Sequence, residues 1–389
     1  MTERWPAHPL VGRVDDLGAL VAALDTVQRG RMVTVFLSGD AGVGKTRLVQ
    51  ELVARAEAEG ATVLLGGASD IAESPPFWPV ASALRTLLRS ARGQQVGQLL
   101  APWSDQLDEL LVLRSAVPAP LGRVQTLELL HRVVLQLSTA APLVLVVEDV
   151  QWADRSTLDL LAYLVANLAE ERLLLVGTYR TEPGAEPTDA RTMLRELGRH
   201  RQVRGIEVAP LRRADIAELV RADAPRRPDL ADLVWKRSAG NAFIAEETLR
   251  AALDGDATAL SATLRELVLS RLGGLSAPAL RAVRAVGVCD GPLPHRLLAA
   301  VLDDPAVLDG GSWLLDALRE GVDAGVVVVD AAVDGYRLRH GLMTEVVVGE
   351  LLPGERMDFH RRYAEALESP WARELPGVDA RLAHHWYEA

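Results

Sequence analysis

Between an apolar strand and an amphipathic helix lie eight residues, Gly39-Asp40-Ala41-Gly42-Val43-Gly44-Lys45-Thr46, that fit the pattern G-x-x-x-x-G-K-[ST]. The strand in front is Met32-Val33-Thr34-Val35-Phe36-Leu37, and the helix behind carries Leu48, Val49, Leu52, Val53 and Ala56 on one face. A loop in that setting must turn the chain from a strand end into the first turn of a helix. Its backbone N–H groups then point inward at phosphate oxygens, and the positive end of the helix dipole adds to their field. Gly42 and Gly44 let the backbone approach phosphates with no Cβ in the way. Lys45 is one of only two lysines among 42 basic residues, the other being Lys236. It is expected on the β- and γ-phosphates, with the Thr46 hydroxyl on Mg²⁺. Gly39, Val43 and Arg47 complete the expected loop contacts. The segment therefore predicts binding of a nucleoside triphosphate or diphosphate.

The rest of the first half reads as strands alternating with helical lengths. Apolar runs recur at Thr62–Gly66, at Leu143–Val147 ending in Glu148-Asp149, and at Leu173–Gly177 ending in Thr178-Tyr179-Arg180. A weaker run spans Val203–Val208. Such continuous strands imply a parallel sheet covered on both faces, an α/β domain with right-handed crossovers. Ligands of these sheets bind at the carboxyl ends of the strands. The phosphate loop, Glu148-Asp149 and Arg180 all fall there.

A Mg²⁺ ion needs a carboxylate, usually at the end of the strand beside the phosphate loop. Glu148 is assigned to the metal and Asp149 to the attacking water, with the reverse order left open. Asp154, ahead of Arg155-Ser156-Thr157-Leu158, suits a helix cap. Arg180 is positioned to reach a γ-phosphate and report its presence.

From Pro210 the period becomes helical, with short helices expected at Leu211–Ala222, Pro228–Ser238 and Ala245–Leu253. Further helices follow, then Val326–Val329 and Tyr336–Arg339 joined through Asp334-Gly335, a hairpin signal. Helices plus one hairpin predict a winged helix. The fold class is thus an α/β P-loop NTPase with a parallel sheet, followed by a helical lid domain and a winged-helix domain. The expected domains are residues 1–209, 210–275 and 276–367, with 368–389 opening a further helical region that stops inside a helix.

Composition narrows the function. A net charge of −11 argues against a broad nucleic-acid footprint on this part. The single cysteine, Cys289, cannot form an internal disulfide and suits a reducing cytoplasm. Met1-Thr2-Glu3-Arg4-Trp5-Pro6 has no signal-peptide pattern, and no apolar run is long enough to span a membrane. The eight histidines and one cysteine show no zinc-like spacing, and His384-His385 stand too close together and without partners. His340, just after the hairpin, is by itself a packed or surface histidine rather than a ligand.

The pattern resembles the signal-transduction ATPases with numerous domains, the STAND class of AAA+-related P-loop proteins. More narrowly it resembles the large ATP-binding regulators of the LuxR family in actinobacteria. Leu10-Val11-Gly12-Arg13 is similar to that family's adenine-packing segment, and Glu148-Asp149-Val150-Gln151-Trp152-Ala153-Asp154 to its acidic strand end. Gly177-Thr178-Tyr179-Arg180 is similar to its sensor-arginine segment. Gly240-Asn241-Ala242-Phe243 resembles its Gly-Asn-Pro-Phe segment, with Ala242 in place of the proline. Gln151 replaces a common histidine, a change expected to be harmless. Arg337–Glu345 resembles its winged-helix histidine segment, which gives His340 the role of reaching the β-phosphate of ADP in a closed, inactive state.

The resemblance implies an ATP/ADP switch with Mg²⁺ and slow hydrolysis, opened by exchange of ADP for ATP and by a small-molecule or protein inducer acting through a C-terminal region. It further implies self-association in the ATP state and DNA binding only through a C-terminal domain that this chain does not contain. Alternative readings are an oligomeric AAA+ motor driven by turnover, an ATPase module controlling a nucleotide cyclase or kinase, and a scaffold that holds ADP permanently.

Overall fold

Side-chain alternation along each strand decides what covers the two faces of the first sheet. The computed structural model describes residues 10–68, 75–111, 122–181, 188–253, 262–289, 292–302, 313–330, 334–375 and 377–389. The segment Met1–Pro6, read above for the absence of a signal peptide, lies outside the described residues. The chain forms two units, residues 1–209 and 210–389.

In the first unit, strands β1 (Val33–Gly39), β2 (Thr62–Gly67), β3 (Leu143–Glu148), β4 (Leu173–Arg180) and β5 (Val203–Glu207) form a parallel sheet in the order β2-β3-β4-β1-β5. The helices are α1 (Val14–Gln28), α2 (Lys45–Ala58), α3 (Trp78–Leu88), α4 (Gly93–Leu99), α5 (Ser104–Leu111), α6 (Arg123–Ala140), α7 (Arg155–Asn167) and α8 (Thr188–Leu197). Val33, Val35 and Leu37 join Val144, Val146, Leu174 and Val176 on one face, packed with Leu20 and Leu24 of α1 and Leu48 and Leu52 of α2. Phe36, Leu145, Val147 and Leu175 belong to the opposite core, with Leu84 of α3, Leu130 of α6 and Leu161 of α7. The expected sheet, buried on both faces, is present.

One expectation is corrected. The strand beside β1 on the acidic side is β4, not β3, so Glu148 does not end the immediate neighbour of the phosphate-loop strand. Apolar runs encode strands but not their order, and a crossover that skips a position leaves no local trace. In register, Gly39 lies opposite Arg180, and Gly67 opposite Glu148.

The second unit opens with α9 (Arg213–Asp223), α10 (Leu230–Ser238) and α11 (Ala242–Leu253), whose Ile216, Val220, Val234, Ala245 and Leu249 share one core. Next come α12 (Ala262–Gly273), α13 (Ala277–Val288), β6 (Leu293–Pro294), α14 (His295–Val301), α15 (Trp313–Asp323), β7 (Val327–Asp330) and β8 (Gly335–Leu338). The hairpin expected around Asp334-Gly335 forms, with Asp334 at φ 48°, and β6 adds to it in the antiparallel order β6-β8-β7. The unit closes with α16 (Gly341–Gly349), α17 (Pro353–Leu367) and α18 (Val378–Glu388). Leu264, Val268 and Leu272 of α12 pack into the same core as α13–α17, and Val378 and Leu382 of α18 pack against it. The arginine of α10 nearest its end, Arg237, donates from Nε to Glu345 Oε1 of α16 at 2.7 Å and from a second nitrogen to Oε2 at 2.9 Å. The Arg337–Glu345 segment thus meets the end of α10. A Cβ on Gly341 would stand 2.4 Å from the Lys236 carbonyl oxygen, so glycine is needed at that crossing.

Candidate nucleotide-binding site

Strand β1 ends at Gly39 and α2 begins at Lys45, so the five residues between them make the turn. Gly42 and Gly44 take φ of 75° and 110°, the left-handed region that glycine enters without a Cβ penalty. Gly44 is the N-cap of α2 and offers no side chain to the orphan N–H groups there. A helix N-terminus of this kind favours an anion. The Lys45 ammonium, buried to 8% exposure, donates to the carbonyls of Gly39 at 2.8 Å and Asp40 at 2.9 Å. Thr46 is exposed, while Arg47 pairs with Glu51 one turn along α2 at 2.7 Å.

Although β4 separates β3 from β1, the Thr46 hydroxyl comes close enough to the Glu148 carboxylate to favour its charged form. Burial holds Glu148 above the ordinary carboxylate range, the Thr46 hydroxyl and the Lys45 charge oppose that shift, and Asp149 adds to it. Glu148 Oε1 is buried with no hydrogen-bond partner among the described residues. A hydroxyl and a partly buried carboxylate are the hard oxygen donors that Mg²⁺ prefers, and an orphan carboxylate oxygen beside Lys45 is where a cation would be held. The glycine cradle and this donor pair fit a Mg²⁺-nucleotide.

Asp149 sits at φ 53° and ψ 50°, a left-handed backbone that turns the chain sharply from β3 into a 3₁₀ turn at Val150–Trp152. Its N–H donates to Thr178 Oγ1 of β4 at 2.9 Å. Its carboxylate accepts from the Gln151 amide at 3.0 Å and stands 3.5 Å from Arg180 Nε. Gln151, which sequence reasoning took as a harmless replacement, is fully buried and holds the carboxylate from one side. Thr178 and Gln151 are the site residues that the sequence reading missed. Only a buried polar side chain two positions past an acidic pair hinted at them.

Asp154 is the N-cap of α7: Oδ1 accepts from Ser156 N and Thr157 N, both at 3.0 Å, and from Phe77 N at 3.1 Å. Arg13 is buried and donates to the Val43 carbonyl at 2.8 Å and the Ala209 carbonyl at 2.6 Å, which ties it to the phosphate loop itself. Val11 is buried beside it and Gly12 turns at φ 68°. In the second unit His340 is the buried N-cap of α16, and its carbonyl accepts from Met343 N at 2.9 Å.

Another expectation is overturned. His384 and His385 do have a partner: His360, 25 residues before His385, comes within 2.9 Å of it, Nδ1 to Nδ1. Ligand spacing along a sequence does not register two helices packed side by side.

Residues 9–176 match the family described as "AAA ATPase domain", a span that includes the phosphate loop, Glu148 and Asp149 but ends before Arg180. A protein of uncharacterised function from Rhizobium meliloti strain 1021 is 26% identical over 92% of this chain. The chain spans 37% of that relative's length. Among solved structures, a STAND protein with a tetratricopeptide repeat sensor from Pyrococcus horikoshii aligns over all of this chain and 50% of its own, at 15% identity and TM-score 0.38. A point-substituted RuvB from Thermotoga maritima aligns over 84% of this chain and 92% of its own, at 16% identity and TM-score 0.38. The first unit thus carries an AAA-type P-loop ATPase module that binds nucleotide. No helix among the described residues is long and apolar enough to cross a membrane.

Proposed function

We propose that the chain is a nucleotide-driven switch of the STAND class, the ATPase core of a LuxR-type regulator that works in the cytoplasm. The observation that carries the reading is the state of Asp149. The carboxylate with the best claim to orient a water is engaged by Gln151 and Arg180, while the Thr46–Glu148 pair is laid out for a metal-bound phosphate. A site that holds nucleotide well and restrains its own hydrolytic group favours residence over turnover.

Bound Mg²⁺ would neutralise charge on the phosphate oxygens. Thr46 and Glu148 are the residues that would hold it. The loop N–H groups and Lys45 bind and orient the phosphates. In this reading Arg180 leaves Asp149 when a γ-phosphate offers it a stronger anion, while Gln151 still holds the carboxylate and keeps hydrolysis slow. The second unit, with its helix–strand–helix–helix–hairpin order, serves as a winged-helix clamp, and His340 takes part in retaining ADP. Inducer sensing, self-association and DNA binding belong to a longer protein.

The test is to denature freshly purified protein and identify the released nucleotide by chromatography. Near-stoichiometric ADP supports the switch, and faster ADP loss from His340→Ala supports the role given to the histidine. An empty site with fast steady-state turnover overturns the switch in favour of a working motor.

A further inference from the structure

We propose that His360, His384 and His385 form a binding site for a zinc-type transition cation, distinct from the nucleotide site. His360 lies on α17 and the other two on α18. Their ligating nitrogens all fall within 4.8 Å of one another. His360 and His385 are 5% and 2% exposed, whereas His384 is exposed.

The two buried rings face each other Nδ1 to Nδ1 at 2.9 Å. Two neutral imidazoles can share only one proton across that gap, so one Nδ1 donates and the other accepts. A cation in place of that proton would use both lone pairs at once. Zinc–imidazole bonds of about 2.0–2.1 Å at tetrahedral angles put ligand nitrogens roughly 3.3 Å apart. The observed pair needs to open by only a few tenths of an ångström.

The site is also braced. Tyr363, one turn past His360, stacks on His385 with centroids 4.8 Å apart and planes 16° from parallel. The Tyr363 hydroxyl donates to the Ala285 carbonyl at 2.7 Å, which fixes the ring the histidine rests on. Outer contacts that hold ligand rings in place are characteristic of metal sites.

Three imidazoles select zinc, nickel or copper over magnesium, whose oxygen donors lie in the other unit. The exposed position of His384 leaves a fourth coordination position to water, the arrangement of zinc sites with three protein ligands. Arg356 and Arg381 oppose a cation here, and Glu388, paired with Arg356 at 3.2 Å, offsets part of that charge. Bound metal would staple α18 to α17.

The test uses tag-free full chain stripped with chelator and titrated with Zn²⁺, and in parallel with Co²⁺ for its visible absorption, in saturating Mg²⁺-ADP. The expected result is one equivalent bound, with an absorption band from nitrogen-ligated Co²⁺. That equivalent survives Glu148→Gln and weakens at least tenfold in His384→Ala and in His360→Asn. Because His384 is exposed, its alanine variant keeps the fold and remains informative if the His360 variant does not. No bound equivalent in the wild type, or equal affinity in His384→Ala, overturns the proposal.

Discussion

At the scale of single residues, the proposed function divides the site into groups that would hold phosphate and groups that would handle water. Lys45→Ala removes charge-assisted hydrogen bonds worth about 1.5–3 kcal/mol and more where they are shielded from water. Calorimetric titration should show ATP and ADP bound about a hundredfold more weakly, and affinity within a few-fold of wild type would refute the phosphate role. Asp149→Asn should keep ATP affinity and slow hydrolysis by roughly 10²–10⁴-fold. Unchanged turnover would move the water-orienting role to Glu148. Gln151→Leu should raise kcat with KM unaltered, because it removes one of the two contacts that restrain Asp149 and touches no part of the loop. If kcat does not change, the buried amide serves packing alone. The motif residues were legible from spacing. Gln151 was not, because its reach to Asp149 depends on the left-handed turn at that residue, and an aspartate in the sequence does not announce its φ.

Among elements, caps and crossings do most to fix orientation. Asp154 satisfies two amides of α7 and the backbone of Phe77, so Asp154→Ala should cost about 1–2 kcal/mol in denaturant unfolding of the first unit. A loss below a few tenths would mean that water replaces the cap. In the second unit, Glu345→Ala takes a bidentate carboxylate from Arg237, which is 7% exposed. The expected loss is about 1–3 kcal/mol, read as a lower unfolding midpoint at unchanged m-value. An unmoved midpoint would show that the remaining contacts of the guanidinium suffice. Helices and strands were readable because their apolar periods differ. Which helices pack together was not, and so the adjacent pair His384-His385 looked isolated until α17 brought His360 alongside.

For the whole molecule, each unit owns its cores, residues 10–208 in one case and 211–382 in the other. A fragment of residues 1–209 is therefore expected to fold alone and to gain thermal stability with rising ADP as binding linkage requires. A fragment that melts at the same temperature with and without nucleotide would show that the second unit is needed for binding. The α/β architecture was legible, whereas the strand order was not. That order seats β4 in the middle of the sheet, hydrogen-bonded to β1 along Leu174–Arg180 and to β3 along Leu173–Gly177. Arg180 is consequently a lever arm on a fulcrum clamped from both sides. Backbone amides of β4 should exchange equally slowly with either nucleotide bound, while the guanidinium signal of Arg180 shifts. Such a swing is a rotamer change, complete within nanoseconds. In the switch reading it would register an event without timing one, and the clock would be the departure of the nucleotide.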